Sequence, residues 1–76
     1  MKELLETIIR SLVSKQDAVS INEVEGEKFI TLEVKVDKAD MGKVIGRDGK
    51  IAKAIRTVVK AIASKEKKRV TIEFIG

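Results

Sequence analysis

Apolar residues open the chain at helical spacing. Leu4, Leu5, Ile8, Ile9, Leu12 and Val13 share one side of a 3.6-residue period, and Lys2, Glu3, Glu6, Arg10 and Ser11 share the other. This predicts an amphipathic helix over about residues 2–14, whose apolar stripe covers a sheet. Ala18 to Glu25 reads as a strand, with a change of parity between Val19/Ile21 and Val24 that suggests a bulge. Glu25-Gly26-Glu27-Lys28 supplies a tight turn, in which Gly26 is free to take a positive φ. From Phe29 to Val36 the period is two: Ile30, Leu32, Val34 and Val36 point one way, and Thr31, Glu33 and Lys35 the other. Such alternation belongs to a sheet with one covered face and one wet face.

Helical spacing then returns. Asp37 to Asp40 leads into a short helix at about Met41–Ile45, with Asp40 placed as its N-cap. Gly46-Arg47-Asp48-Gly49 interrupts, and a second helix is expected from about Lys50 to Ser64, burying Ile51, Ile55, Val58, Val59 and Ile62. Lys65-Glu66-Lys67-Lys68-Arg69 is a polar connection, and Val70, Ile72 and Phe74 alternate with Thr71 and Glu73 in a closing strand. The order is α-β-β-α-α-β. A hairpin pairs the first two strands antiparallel, and a two-helix crossover can bring the last strand parallel to the second. The expectation is an α+β fold, a three-stranded mixed sheet with three helices packed on one face, as a single domain over residues 1–76.

Composition narrows the chemistry. The 76 residues contain no Cys and no His, which excludes thiol chemistry, disulfides, the usual zinc sites and His-based acid–base catalysis. With no nucleophile–base pair and no metal cluster in the pattern, the expectation is a protein without catalytic residues, metal, cofactor or small-molecule substrate. Apolar runs are a few residues long, far below the roughly 20 that span a bilayer, so a cytoplasmic protein with no membrane partner is expected. Charge is unevenly distributed. Residues 1–40 carry six basic and nine acidic side chains, and residues 41–76 carry ten basic and three acidic. The second portion therefore presents positive surface, suited either to phosphates or to plain solvation.

The segment with the most specific chemistry is Gly42-Lys43-Val44-Ile45-Gly46-Arg47-Asp48-Gly49-Lys50-Ile51. Two glycines three apart, between helices, make a tight loop that a phosphate backbone can approach closely. The N-terminus of the following helix favours an anion there, and Arg47 and Lys50 add charge, with Lys43 just before. The plainer alternative is a helix–turn–helix corner with glycine at the cap. A Walker loop is excluded, because no Gly-Lys-Ser/Thr ending follows, and so is a dinucleotide fingerprint, which needs G-x-G-x-x-G directly after a strand. Asp48 opposes Arg47 at short range and can instead N-cap the second helix. Lys53, Arg56 and Lys60 follow at helical spacing and can extend the positive track, or lie as a solvated helix face.

These residues resemble the KH domain, whose GxxG loop grips nucleic-acid backbone. The element order is similar to the type II arrangement, and Gly42–Gly46 followed by Gly49–Ala61 is very like the signature of the KhpA family of small bacterial single-domain proteins. The resemblance in length and order covers essentially the whole chain. It implies a non-catalytic protein that binds single-stranded RNA, in a groove between the GxxG side and a sheet edge that admits about four nucleotides. Carried over by position, Gly46, Arg47, Asp48 and Gly49 hold the backbone, with Lys43, Lys50, Lys53 and Arg56 alongside. Val44, Ile45 and Ile51 either floor the groove or belong to the core, and Val34 or Val36 can face it. The family resemblance also implies post-transcriptional regulation linked to cell growth and division. It leaves two alternatives: an interaction module that dimerises or recruits a second KH-containing protein, or an rRNA-binding factor of ribosome assembly.

Overall fold

The computed structural model describes residues 1–75. Its elements run α1 (Lys2–Leu12), β1 (Ser20–Glu25), β2 (Phe29–Lys35), α2 (Met41–Ile45), α3 (Lys50–Lys65) and β3 (Arg69–Ile75), with single 3-10 turns at Gln16–Ala18, Lys38–Asp40 and Arg47–Gly49. The sheet order is β1-β2-β3. β1 and β2 are antiparallel, from Ser20↔Lys35 to Glu25↔Ile30. β2 and β3 are parallel, from Phe29↔Arg69 to Lys35↔Ile75. The α+β fold expected from the alternation is the one observed.

The period-two positions of β2 form the centre of the core. Ile30, Leu32 and Val34 of β2 and Ile72 of β3 are buried against Leu5 and Ile9 of α1, Val44 of α2, and Ile55 and Val59 of α3. Helices cover this face only; the other face leaves Val24, Phe29 and Ile75 exposed. Among the described residues, no helix is long and apolar enough to cross a membrane.

Three local expectations need correction. The β1–β2 register is unbroken, so there is no bulge; the parity change is absorbed by Val24, which stands opposite Thr31 on the open face and is 48% exposed. Val58, expected on the buried face of α3, is also 48% exposed, because the stripe in contact with the sheet is centred on Ala52, Ile55, Val59 and Ala63. Asp40 precedes α2 but makes no side-chain cap there. Its carboxylate instead accepts the backbone N–H groups of Ser14 at 3.1 Å and Lys15 at 3.0 Å. Asp37 caps the preceding 3-10 turn Lys38–Asp40, its side chain accepting the Ala39 N–H at 2.9 Å.

Asp40 thereby ties the end of the α1 segment to the start of α2. It is buried, and Lys43 Nζ lies 3.2 Å from its Oδ1. The Lys15 and Ser14 amides, with Lys43 behind them, hold its carboxyl below the ordinary value of 3.8, against the opposing effect of burial. A buried carboxylate with this many donors is satisfied rather than reactive, so it acts as a brace for the element that leads into the glycine loop.

Candidate nucleic-acid interface

The loop between α2 and α3 is shaped by three successive backbone demands. Gly46 ends α2 with φ 77°, Asp48 lies at φ 55° and Gly49 at φ 74°. Gly46 accepts this geometry at no steric cost, but its lack of a Cβ serves packing as well. A Cβ built there would sit 2.5 Å from Cγ1 of Ile51, so the glycine makes room for the first apolar residue of α3. At Gly49 the corresponding direction is open, with no atom within 4 Å. Close approach of an outside group is therefore possible on the Gly49 side of the loop, while Gly46 is closed from within.

The loop uses its nearest amides internally. Gly49 N–H donates to Gly46 O at 3.2 Å, and Lys50 N–H donates to Arg47 O. Positive potential at this corner must then come largely from the side chains of Arg47 and Lys50. Both are exposed, and among the described residues neither takes part in an ion pair. Asp48 is exposed beside them and does not cap α3, whose N-cap is Gly49 without a side-chain bond. The expected capping role of Asp48 is not found, because α3 begins at Lys50 and Gly49 occupies the N-cap position, which leaves Asp48 one residue too early.

The remaining expected site residues divide by environment. Val44 is fully buried in the core and cannot floor a groove; it sits on the inner side of a five-residue helix clamped between neighbours. Ile45 and Ile51 are half-buried and pack against the core cluster. Lys43 is tied to Asp40 and to the Ser14 hydroxyl, so its charge is already matched. Lys53 and Arg56 are exposed on α3. Val34 and Val36 are buried in the core.

A depression lies between α3 and β3, the strand at the sheet edge. Arg56, Lys60, Val70, Thr71 and Ile72 line a depression of about 160 Å³, and Lys68 and Arg69 continue it along the strand. Lys68 is paired with Glu25. Because β3 ends the sheet, one edge of its backbone has no neighbouring strand among the described residues, and alternate residues direct their N–H and C=O groups outward from that edge in the plane of the sheet. Arg56 places its guanidinium carbon over the ring of Phe74, 5.4 Å from the centroid. Lys60, which helical spacing places on the positive track, lines this depression. The segment 68–72 was missed as a site, because only the position of β3 at the sheet edge marks it and the crossover pattern does not fix that position.

Arg56 and Lys60 of α3 thus border one depression with the edge strand β3, and the Arg47/Lys50 corner lies at the N-terminal end of the same helix. Among the described residues, no group of three His, Cys, Asp or Glu side chains gathers to hold a metal.

Comparison with known proteins gives a consistent family. The model of the KhpA/KhpB KH domain matches residues 2–74. The RNA-binding protein KhpA of Clostridium acetobutylicum is 63% identical over 75 residues, covering 99% of this chain and all of the relative. The protein of the same name from Caldanaerobacter subterraneus is 57% identical with the same coverage. That from Aquifex aeolicus is 44% identical over 99% of this chain and 95% of its own length.

Proposed function

Because the chain belongs to the KhpA/KhpB KH-domain family, we propose that it is a non-catalytic RNA-binding protein. It holds a short single-stranded segment along the surface from the glycine loop to the edge of β3. Two observations carry this: the cations Arg47 and Lys50, unpaired among the described residues, on a loop open at Gly49, and a groove walled by a strand edge that is unpaired among the described residues.

The two features suit the two parts of a nucleotide chain. A phosphodiester at the loop corner gains charge-assisted contacts from Arg47 and Lys50. Bases turned into the groove meet the backbone donors and acceptors of β3, which can pair with their exposed edges. A duplex keeps those edges occupied and is too broad for a depression of about 160 Å³, so the arrangement favours single strands. Post-transcriptional regulation tied to growth and division, in the cytoplasm, is the role proposed on the family resemblance alone.

Titration of a short single-stranded RNA into isotope-labelled protein tests the proposal. Amide shifts at Gly46–Ile51 and Val70–Ile72, with weak or no response to a duplex of the same sequence, are expected. Shifts confined to other regions would overturn it. One specific observation favours a second reading as an interaction module: the uncovered sheet face exposes Val24, Phe29 and Ile75. In that case a protein partner or a second copy perturbs Val24, Phe29 and Ile75 while RNA perturbs nothing.

A further inference from the structure

We propose that Arg56 is a stacking shelf for one nucleobase, rather than one more phosphate contact on a basic helix. This rests on the RNA-binding reading and adds to it a residue with a defined partner group. The chain has no Trp and no Tyr, and of its two Phe residues Phe29 stands on the open face of the sheet, away from the groove. Phe74 lies on the groove side but is half-buried, and the guanidinium of Arg56 covers its ring at 5.4 Å from the centroid. No aromatic face is therefore free in the groove to receive a base. The flat group that does present itself is the Arg56 guanidinium.

The chemistry favours a base on that group. Guanidinium is planar and weakly hydrated, and its faces accept π systems, whereas an ammonium is a strongly hydrated point charge. The Phe74 ring beneath it restrains the side chain, which lowers the ordering cost of stacking a base on the guanidinium. The neighbours in the groove do not compete for this role. Val70 and Ile72 are buried and aliphatic, Thr71 is small, and Lys60 is the cation suited to a phosphate at the same place. A base lying on Arg56 would have its edge directed toward the free backbone of β3.

The experiment compares two ligands on two proteins. Affinities of wild-type protein and Arg56→Lys are measured for a short single-stranded RNA and for an abasic ribose-phosphate oligomer of equal length. Arg56 is exposed on α3, so the variant keeps the fold, and it keeps the charge. Arg56→Lys is expected to weaken RNA binding about 5- to 20-fold. It should leave abasic binding within about two-fold, with the same salt slope. In the wild type, RNA but not the abasic oligomer should move the Arg56 Cδ protons upfield through the ring current of the stacked base. Equal losses for both ligands, or no loss for either, would overturn the shelf and leave the RNA-binding reading standing. Failure of the wild-type protein to bind either ligand would overturn both.

Discussion

Gly46 and Ile51 are interlocked: the space a Cβ would need at Gly46 is filled by Cγ1, Cβ and Cδ1 of Ile51, the nearest at 2.5 Å. Together with φ 77° at Gly46 this makes the first glycine of the loop a packing residue, whereas Gly49, at φ 74°, faces open space. Gly46→Ala should therefore cost about 2–4 kcal/mol, combining a positive-φ, extended-ψ backbone that only glycine adopts readily with overpacking. Gly49→Ala should cost only about 1–2 kcal/mol, from the backbone alone. Urea unfolding of the two variants checks the order. Equal losses would mean that Ile51 moves aside without cost.

Arg47→Asp replaces a cation with an anion at the loop corner. Affinity for single-stranded RNA should fall by about 1–3 kcal/mol, roughly 5- to 150-fold. Folding stability should change by less than about 0.5 kcal/mol, since Arg47 is exposed and unpaired among the described residues. Fluorescence anisotropy and thermal unfolding on the same preparation separate the two effects. Unchanged affinity in a folded variant would remove the loop from the binding site.

Val44 and Val58 should respond very unequally to truncation. Val44→Ala opens a cavity in the core and should cost about 2 kcal/mol, while affinity of the folded fraction for RNA stays the same. Val58→Ala, on the exposed flank of α3, should shift stability by less than about 0.5 kcal/mol. A stable Val44→Ala protein with weakened RNA binding would put that side chain back at the interface.

Asp40 carries the pH dependence of the brace. Its folded-state pKa lies below the ordinary 3.8, so the native state disfavours the proton relative to the unfolded chain. Its stabilising contribution is complete above about pH 3.8 and is lost as pH falls through the lowered folded value. Asp40→Asn retains one acceptor but turns an amide donor toward the second backbone N–H, so its melting temperature should lie below the wild type at neutral pH. The gap should narrow on acidification below about pH 3.8. Melting curves followed by circular dichroism across that range test it, and a gap independent of pH would show that the carboxylate charge plays no part.

Each element of the fold was legible in the residue pattern. Alternation in β2, the helical stripes of α1 and α3, and the paired glycines are local signals, set by where side chains point within a few residues. Gly46–Gly49 and the basic flank of α3 followed from the same local signals. What only the tertiary structure decided is which neighbour each face meets. Helical spacing could not separate Val44, fully buried, from Val58, half exposed, because that depends on how each helix is rotated against the sheet. Asp40 met its partners at Ser14 and Lys15, some 25 residues back. The groove wall came from β3, because parallel pairing with β2 put that strand at the sheet edge rather than in its middle. Side-chain direction is fixed by backbone geometry residue by residue, while strand order and helix rotation arise from burying all the apolar faces together, and that balance is a property of the whole chain.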